Sequence, residues 1–330
     1  MMTPTRRRLF GAAIGTAALL GAAPPAQAQD VAYPTRPVRL VIAFPAGGSS
    51  DIIARLVADR LTQRIGQPVV AENRPGGGAM IAAENVARAA PDGHSIMFGS
   101  STLVISAATM RSPPVDLMRD LTPINNLVEA PMILVANASA PFSTLQGMVE
   151  YARANPGKLN LGVPGAGSSN HLGLELLLRQ AGLDAVVVPY QGNAPQLTAL
   201  IRGDVHAATD SIATSSPFIR ERTIRALAVT GARRSALLPE VPTVAEAAPL
   251  PGYATSFWFG LFAPAATPRP ILDRLQRETA AIMAQPEVLA HVQAQGFEAV
   301  AFGAQQFGQR VTADLALWGG VARAAGITTP

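Results

Sequence analysis

Twice along this chain a strand-like run leads through a turn of small residues straight into a helical pattern, and that repeated unit limits the possible folds more than any other feature. The first copy reads FPAGGSSDIIARL from Phe44, the second VPGAGSSNHLGLEL from Val163. VRLVIAF (38–44) precedes the first turn as a buried strand. After Asp51, apolar residues at Ile52, Ile53, Leu56, Val57, Leu61 and Ile65 keep the helical period until Gly66 stops it. PVVAEN (68–73) predicts a strand, AMIAAENVARAA (79–90) a helix and HSIMFGS (94–100) a third strand. The second series runs LNLGV (159–163), a helix over 171–181 stopped by Gly182, AVVVPY (185–190), a helix over 194–203, VHAATD (205–210) and TIRALAVT (223–230). Two further helices are expected at 270–283 and 305–325. Strand–helix–strand alternation predicts parallel sheets covered on both faces. Two widely spaced copies argue for two α/β lobes rather than a solenoid, with the C-terminal helices returning to pack on the first.

The turns themselves point to an anion site. A turn between strand and helix leaves the first amide N–H groups of the helix without partners. Gly47 and Gly48 in one copy, and Gly165 and Gly167 in the other, permit positive φ and close backbone approach. Ser49, Ser50, Ser168 and Ser169 add hydroxyls, while Asp51 and Asn170 stand where a cap or first-turn residue belongs. Amides, hydroxyls and the positive helix end together attract a negative group. Neither copy has the Gly-Lys-Ser/Thr of a nucleotide phosphate loop or the Gly-x-Gly-x-x-Gly of a dinucleotide fold. Lysine-free cradles suit a carboxylate, releasable because each neutral hydrogen bond nets only about 0.5–1.5 kcal/mol. In open α/β sheets ligands bind beyond the carboxyl ends of the strands, where both turns fall.

Composition narrows the class. TRRRLF followed by GAAIGTAALLGAA and AQA before Gln29 has the basic, apolar and small-residue parts of a cleavable export signal (1–28), of twin-arginine or Sec type. The chain of 330 residues has 26 basic against 22 acidic side chains, net +4; three of those arginines lie in the leader, which leaves +1. Basicity is therefore no argument for nucleic acid. Cysteine is absent, which excludes disulfides, thiolate metal sites, a cysteine nucleophile and a lipid-modified N-terminal cysteine. A chain of about 300 residues needs no such staple, since it buries roughly 75% of its unfolded surface. The uncharged stretch from Ala247 to Pro268 is broken by Pro249, Pro251, Pro264 and Pro268, so it reads as strands and turns.

No Gly-x-Ser-x-Gly elbow, His-Glu-x-x-His or metal-spaced cluster occurs, so no catalytic residue, metal or cofactor is assigned. His94, His206 and His291 read as packing or surface residues; His171, beside the second turn, reads as a neutral hydrogen-bond donor. An exported serine hydrolase using Ser168 or Ser169 with His171 is the alternative from another class. A ligand-sensing subunit for a membrane receptor is a third.

The stretches YPTRPVRLVIAFPAGGSSDIIARL, VAENRPGGG, PDGHSIMFGSST, NHLGLELL, VPYQGNAPQLTALIRGDV, RALAVTGARRSALLPEVPTVAEA and WFGLFAPAATP, in that order, resemble the tripartite tricarboxylate transporter substrate-binding proteins, the Bug family. The resemblance runs from about Tyr33 to the C-terminus. It implies a two-lobed periplasmic binding protein of type 2, the Venus flytrap, each lobe a mostly parallel sheet flanked by helices. Lobe 1 would comprise 29–131 and 254–330, lobe 2 132–253, with crossings near 129–134 and 253–257. It further implies a monomer that takes a small organic carboxylate and hands it to the membrane subunits of a tripartite tricarboxylate transporter. The ligand residues carried over are Phe44, Ala46, Gly47, Gly48, Ser49 and Asp51 from one lobe. From the other come Gly165, Ala166, Gly167, Ser168, Ser169, Asn170 and His171. Ser100, Ser101, Tyr190 and Asp210, at strand ends, are expected to complete the wall, with Asp210 able to accept from a ligand nitrogen. Two positions depart from the family pattern. Gly76-Gly77-Gly78 is followed by Ala79-Met80-Ile81-Ala82 without the usual last glycine, and His94 replaces an aromatic.

Overall fold

Two β-α series share one long strand. The computed structural model describes Met1 and residues 33–328; the export signal and its cleavage site fall outside the described residues. The first series is β1 (Val38–Ile42), α1 (Ser49–Ile65), β2 (Val69–Asn73), α2 (Met80–Ala87), β3 (Ser95–Ser100), α3 (Ser101–Thr109) and α4 (Leu117–Asp120). β4 (Leu121–Asn137) leads to the second: α5 (Leu145–Ala154), β5 (Asn160–Val163), α6 (Ser169–Ala181), β6 (Val186–Pro189), α7 (Asn193–Arg202), β7 (Ala207–Ser211), α8 (Ile212–Arg220), β8 (Ile224–Val229) and α9 (Val244–Ala247). The chain returns through β9 (Ser256–Pro264) and ends with α10 (Arg269–Met283), α11 (Pro286–Ala294), β10 (Glu298–Gly303) and α12 (Ala304–Ala325).

The strands order as β2-β1-β3-β9-β4-β7-β5-β6, with β8 and β10 also pairing to β4. Pairing is parallel where the sequence alternation predicts it, between β1 and β2, β1 and β3, β5 and β6, and β5 and β7. It is antiparallel around the connecting strands, because β9 returns against both β3 and β4, and β7 and β8 return against β4. These directions position the site. β1 and β3 run with β4, whereas β5 and β7 run against it. The turns that follow β1 and β3 therefore face the turns that follow β5 and β7 across the stretch where β4 passes between the two groups.

Side-chain alternation explains why β1 is apolar almost throughout. Leu40 and Ile42 pack with α1, α10 and α11, while Val41 and Ala43 pack with α2, α3 and α12. Each fully buried large aliphatic side chain contributes about 1.5–3 kcal/mol. In the second half, Leu161, Val163, Leu172 and Leu177 share the α12 side, and Ile133, Val135, Leu200 and Ile212 fill the other. α1 and α6 both end on left-handed glycines, Gly66 (φ 74°) and Gly182 (φ 62°), as the stop signals predict.

Several elements lay outside the sequence expectations. α3, STLVISAAT, is β-branched and directly continues a strand, yet Ser100 caps it by accepting the Thr102 N–H. α5 carries a legible signal in the cap Thr144, which accepts from Gly147 N–H. α8 contains Pro217, which argues against a helix in sequence. The departure at Ala79 takes a left-handed backbone, φ 76°, at the start of α2. Gly78 just before it is obligatory, since a Cβ there would stand 2.0 Å from Ser106 Oγ. His94 is buried, its ring packed edge-on to Tyr33 with centroids 5.2 Å apart and its Nε2 accepting the Thr35 N–H. Among the described residues no helix is long and apolar enough to cross a membrane.

Candidate functional site

Each repeated turn is held by a side chain from its own helix. In the first, Gly47 adopts φ 88° and donates its N–H to Asp51 Oδ2 at 3.0 Å. In the second, Gly167 adopts φ 70° and donates its N–H to His171 Nδ1 at 2.9 Å. Both acceptors are the third residue of their helix, because α1 is capped at Gly48 and α6 at Ser168. The sequence alignment of Asp51 with Asn170 is thus one residue out of register. The second turn has one more residue between its proline and its cap, and helix position, not motif spacing, sets the equivalence of Asp51 with His171.

Asp51 is buried and fully engaged. Arg55 Nε lies 3.0 Å from both carboxylate oxygens, and Asn73 Nδ2 donates to Oδ1 at 2.8 Å and to Phe44 O at 3.0 Å. The Arg55 hydrogen bond above all, with the Gly47 amide and Asn73, holds its pKa down to about 2 against the cost of burial. Asp51 therefore braces the first turn and pairs with the nearest arginine. Its partners Arg55 and Asn73 escaped the sequence reading; the NRPGGG stretch containing Asn73 was the available signal.

What faces outward is neutral. Ala46, Gly47, Gly48 and Ser49 are exposed, and a glycine cap provides no side-chain acceptor for the first amides of α1. At α6, Ser168 Oγ accepts the His171 N–H at 3.2 Å and donates to Gly165 O at 2.8 Å. The amides of Ser169 and Asn170 stay clear of that cap. Asn170 O accepts from Thr209 Oγ1, while Asn170 Nδ2 is a buried donor with no acceptor in the protein. Gly165 and Gly167 are half-buried and Ala166 is exposed. With Nδ1 accepting, His171 carries its ring proton on Nε2, 3.6 Å from Glu175 Oε1. Ser168 bonds the histidine's backbone, Ser169 Oγ meets Ser101 Oγ, and His171 Nδ1 takes the Gly167 N–H, so neither serine forms the Ser–His pair a hydrolase needs.

The two halves meet at these helix starts. Ser101 and Ser169, the first residues of α3 and α6, bring their hydroxyl oxygens to 3.3 Å, both buried. The first turn lies one strand spacing from Ser101, because β1 and β3 pair in register through Ile42 and Phe98. Phe44 stands edge-on to Phe259 at 5.9 Å. Tyr190 flanks the second turn through its N–H to Val163 O; burial first, then the Asp204 charge, raises its pKa. Ser100 is buried as the α3 cap.

Asp210 does not line the wall as an acceptor for a ligand nitrogen. It is fully buried, taking hydrogen bonds from Asn193 Nδ2, Thr214 Oγ1 and Ser215 Oγ, which tie the starts of α7 and α8 to the end of β7. The sequence places it at a strand end but is silent on which partners arrive from elsewhere. Among the described residues no group of three or more His, Cys, Asp or Glu could hold a metal ion.

Comparison with known proteins gives one consistent picture. The family model described as tripartite tricarboxylate transporter family receptor matches residues 53–327. The chain is 39% identical over 284 residues, 86% of its length and 83% of the relative's, to a UPF0065 protein in the tcbD-tcbE intergenic region of Pseudomonas sp. strain P51. It is 32% identical to protein BugT of Bordetella pertussis, over 96% of both chains. Among solved structures, R. palustris Rpa4515 with adipate superposes with a TM-score of 0.75 at 36% identity, covering 90% of this chain and 99% of that one. MatC from Rhodopseudomonas palustris with bound malate gives 0.71 at 32%, covering 88% and 99%. The architecture is the bilobed one of these binding proteins.

Proposed function

The chain belongs to the tripartite tricarboxylate transporter receptor family, and on that footing we propose that it holds a small organic carboxylate between the starts of α1, α3 and α6 and passes it to the membrane subunits of such a transporter. As a receptor of this family it works in the periplasm and is not a catalyst. The observation that carries the ligand reading is the meeting of Ser101 and Ser169 at 3.3 Å, which brings helix starts from both halves to one place with no lysine or free arginine in either turn. The positive helix ends and hydroxyls favour a carboxylate over a phosphate, whose higher charge calls for a cation. Adipate and malate occupy two relatives, and dicarboxylates of that size are the first compounds to try.

The grip falls on the backbone amides of Ser49, Ser169 and Asn170 and the hydroxyls of Ser49 and Ser169, with Phe44, Ala46, Gly47, Gly48, Gly165, Ala166, Gly167, Ser168, Ser100, Ser101, His171 and Tyr190 forming the walls and Asp51 bracing them. The receptor acts as a monomer, with lobe 1 comprising 29–131 and 254–330 and lobe 2 comprising 132–253. Residues 1–28 direct export and are removed before Gln29, which N-terminal sequencing of the periplasmic protein checks. A thermal-shift screen of mono-, di- and tricarboxylates and amino acids tests the ligand class. A true ligand at a hundredfold excess over its Kd stabilises by about 2.7 kcal/mol; the absence of a shift with every carboxylate would sink the assignment.

A further inference from the structure

Beyond the cleft, the structure shows two hydrogen-bonded clamps close together on the strands that join the halves. On one side, Arg310 of α12 donates through Nη1 to Asn126 Oδ1 at 3.0 Å and to Glu129 Oε2 at 2.7 Å, both on β4. Through Nη2 it donates to Ser256 Oγ, the first residue of β9, at 2.6 Å, and Ser256 Oγ in turn donates to Glu129. The guanidinium also lies 5.9 Å from the centre of the Trp258 ring, whose indole N–H is held by Asp314 at 2.8 Å. On the other side stands Thr230, buried at the end of β8. Its N–H donates to Met132 O and its hydroxyl accepts the Met132 N–H. Its carbonyl accepts the Thr255 N–H, and its hydroxyl donates to Thr255 O.

One clamp fixes Glu129 to Ser256, the other Met132 to Thr255. Between them remain only Ala130 and Pro131 on β4 and the 255–256 peptide leading into β9. The pairing changes in the same place: Pro131 with Ser256 is the last β4–β9 pair, and Met132 with Ser211 the first β4–β7 pair. Pro131 has no N–H to give the ladder, so the interval between the clamps has one backbone donor fewer to hold it. A cavity of about 340 Å³ adjoins it, walled by Pro131, Ala232, Thr255, Ser256, Arg310 and Trp318, from both halves. Rotation needs such space, because close-packed walls do not deform continuously.

We propose that Arg310 is a positioning residue for ligand capture, which with Thr230 confines the rotation of one half against the other to Ala130–Pro131 and the 255–256 peptide. This rests on the reading of the two halves as lobes that move. Clamped strands give one axis, and one axis brings the helix starts of α1, α3 and α6 back to the same mutual geometry at each closure. Loosening a clamp lengthens the bendable segment and lowers the fraction of molecules in the binding-competent arrangement, which weakens apparent affinity in proportion.

The absence of cysteine makes the test direct. Gln63→Cys on α1 and Gln180→Cys on α6, both exposed, take a spin-label pair, and pulsed dipolar spectroscopy of the ligand-free protein reads the distance distribution. R310A and T230V are expected to broaden that distribution toward longer separations, R310K to recover it in part, and S256A to act in the same direction as R310A if the latter folds poorly. A130G, which softens the interval itself, is the reference for lobe movement. If A130G broadens the distribution and R310A and S256A only lower the melting temperature, the halves move but Arg310 does not guide them, and the proposal is overturned. If every variant, A130G included, keeps the wild-type distribution, the reading of mobile lobes fails as well. No ligand enters the measurement, so its outcome is independent of the carboxylate assignment.

Discussion

Replacing Asp51 by asparagine asks whether a charge or merely a shape holds the first turn. The carboxylate accepts from the Gly47 amide, Asn73 and Arg55. An asparagine keeps one acceptor oxygen and turns an NH₂ toward a neighbouring donor. The magnitude follows from linkage. A pKa lowered from 3.8 to about 2 corresponds to ~2.4 kcal/mol at 1.36 kcal/mol per unit, and because Arg55 is half exposed, screening trims this to about 1–2 kcal/mol. The folded pKa is depressed, so this stability is fully present above the unfolded value of 3.8 and is lost as pH falls through about 2. Urea unfolding of wild type and D51N should therefore differ by about 1–2 kcal/mol at neutral pH and by roughly half that near pH 3. A gap of the same size at both pH values would refute the reasoning, since a shape effect does not titrate. A gap near zero at neutral pH would show that the ion-paired carboxylate contributes nothing net.

Other consequences can be read in the same unfolding assay. Arg222 closes α8 in the left-handed region, φ 57°, with Thr223 N–H reaching back to Phe218 O; R222G should raise stability by roughly 0.5–1 kcal/mol, and a loss would show that the arginine makes an unrecognised contact. Gly260 in β9 has no room for a methyl, since a Cβ would stand 2.3 Å from Phe307 Cζ and 2.9 Å from Asn125 O. G260A is expected to cost about 1–3 kcal/mol or more, measured as a fall in urea midpoint. Burial raises the pKa of Asp314, against the lowering effect of Trp258 and Arg310 and with the Glu129 charge adding to it. A raised carboxylate pKa gives stability present below 3.8 and lost as pH climbs through the folded value. D314N, which keeps an acceptor for the Trp258 indole, should flatten that decline and leave the melting temperature at neutral pH unchanged or higher; a fall would mean that Arg310 depends on the charge.

The amino-acid sequence by itself determined the local units: the two strand–turn–helix copies, the glycines that end α1 and α6, and the small-residue turns at the start of helices. These depend on interactions a few residues long, namely helical hydrogen bonds, positive φ at Gly47 and Gly167, and caps such as Ser168. The sequence also carried a family resemblance strong enough to imply the bilobed architecture. The tertiary structure alone decided how the halves are joined. β4, LTPINNLVEAPMILVAN, has two prolines and three asparagines and no clean alternation, because along its length it passes from one sheet to another and meets β9, β10, β7 and β8 in turn. Tertiary structure likewise decided the roles of single residues. Asp51 and Asp210 have the chemistry of ligand groups, yet partners from distant positions, Asn73 for one and Asn193 for the other, turn both inward. The Ser101–Ser169 contact and the Arg310 clamp join residues far apart in the chain. No pattern of residue types encodes such pairs, because each is fixed by where the packed sheets bring two helix ends or two strands together.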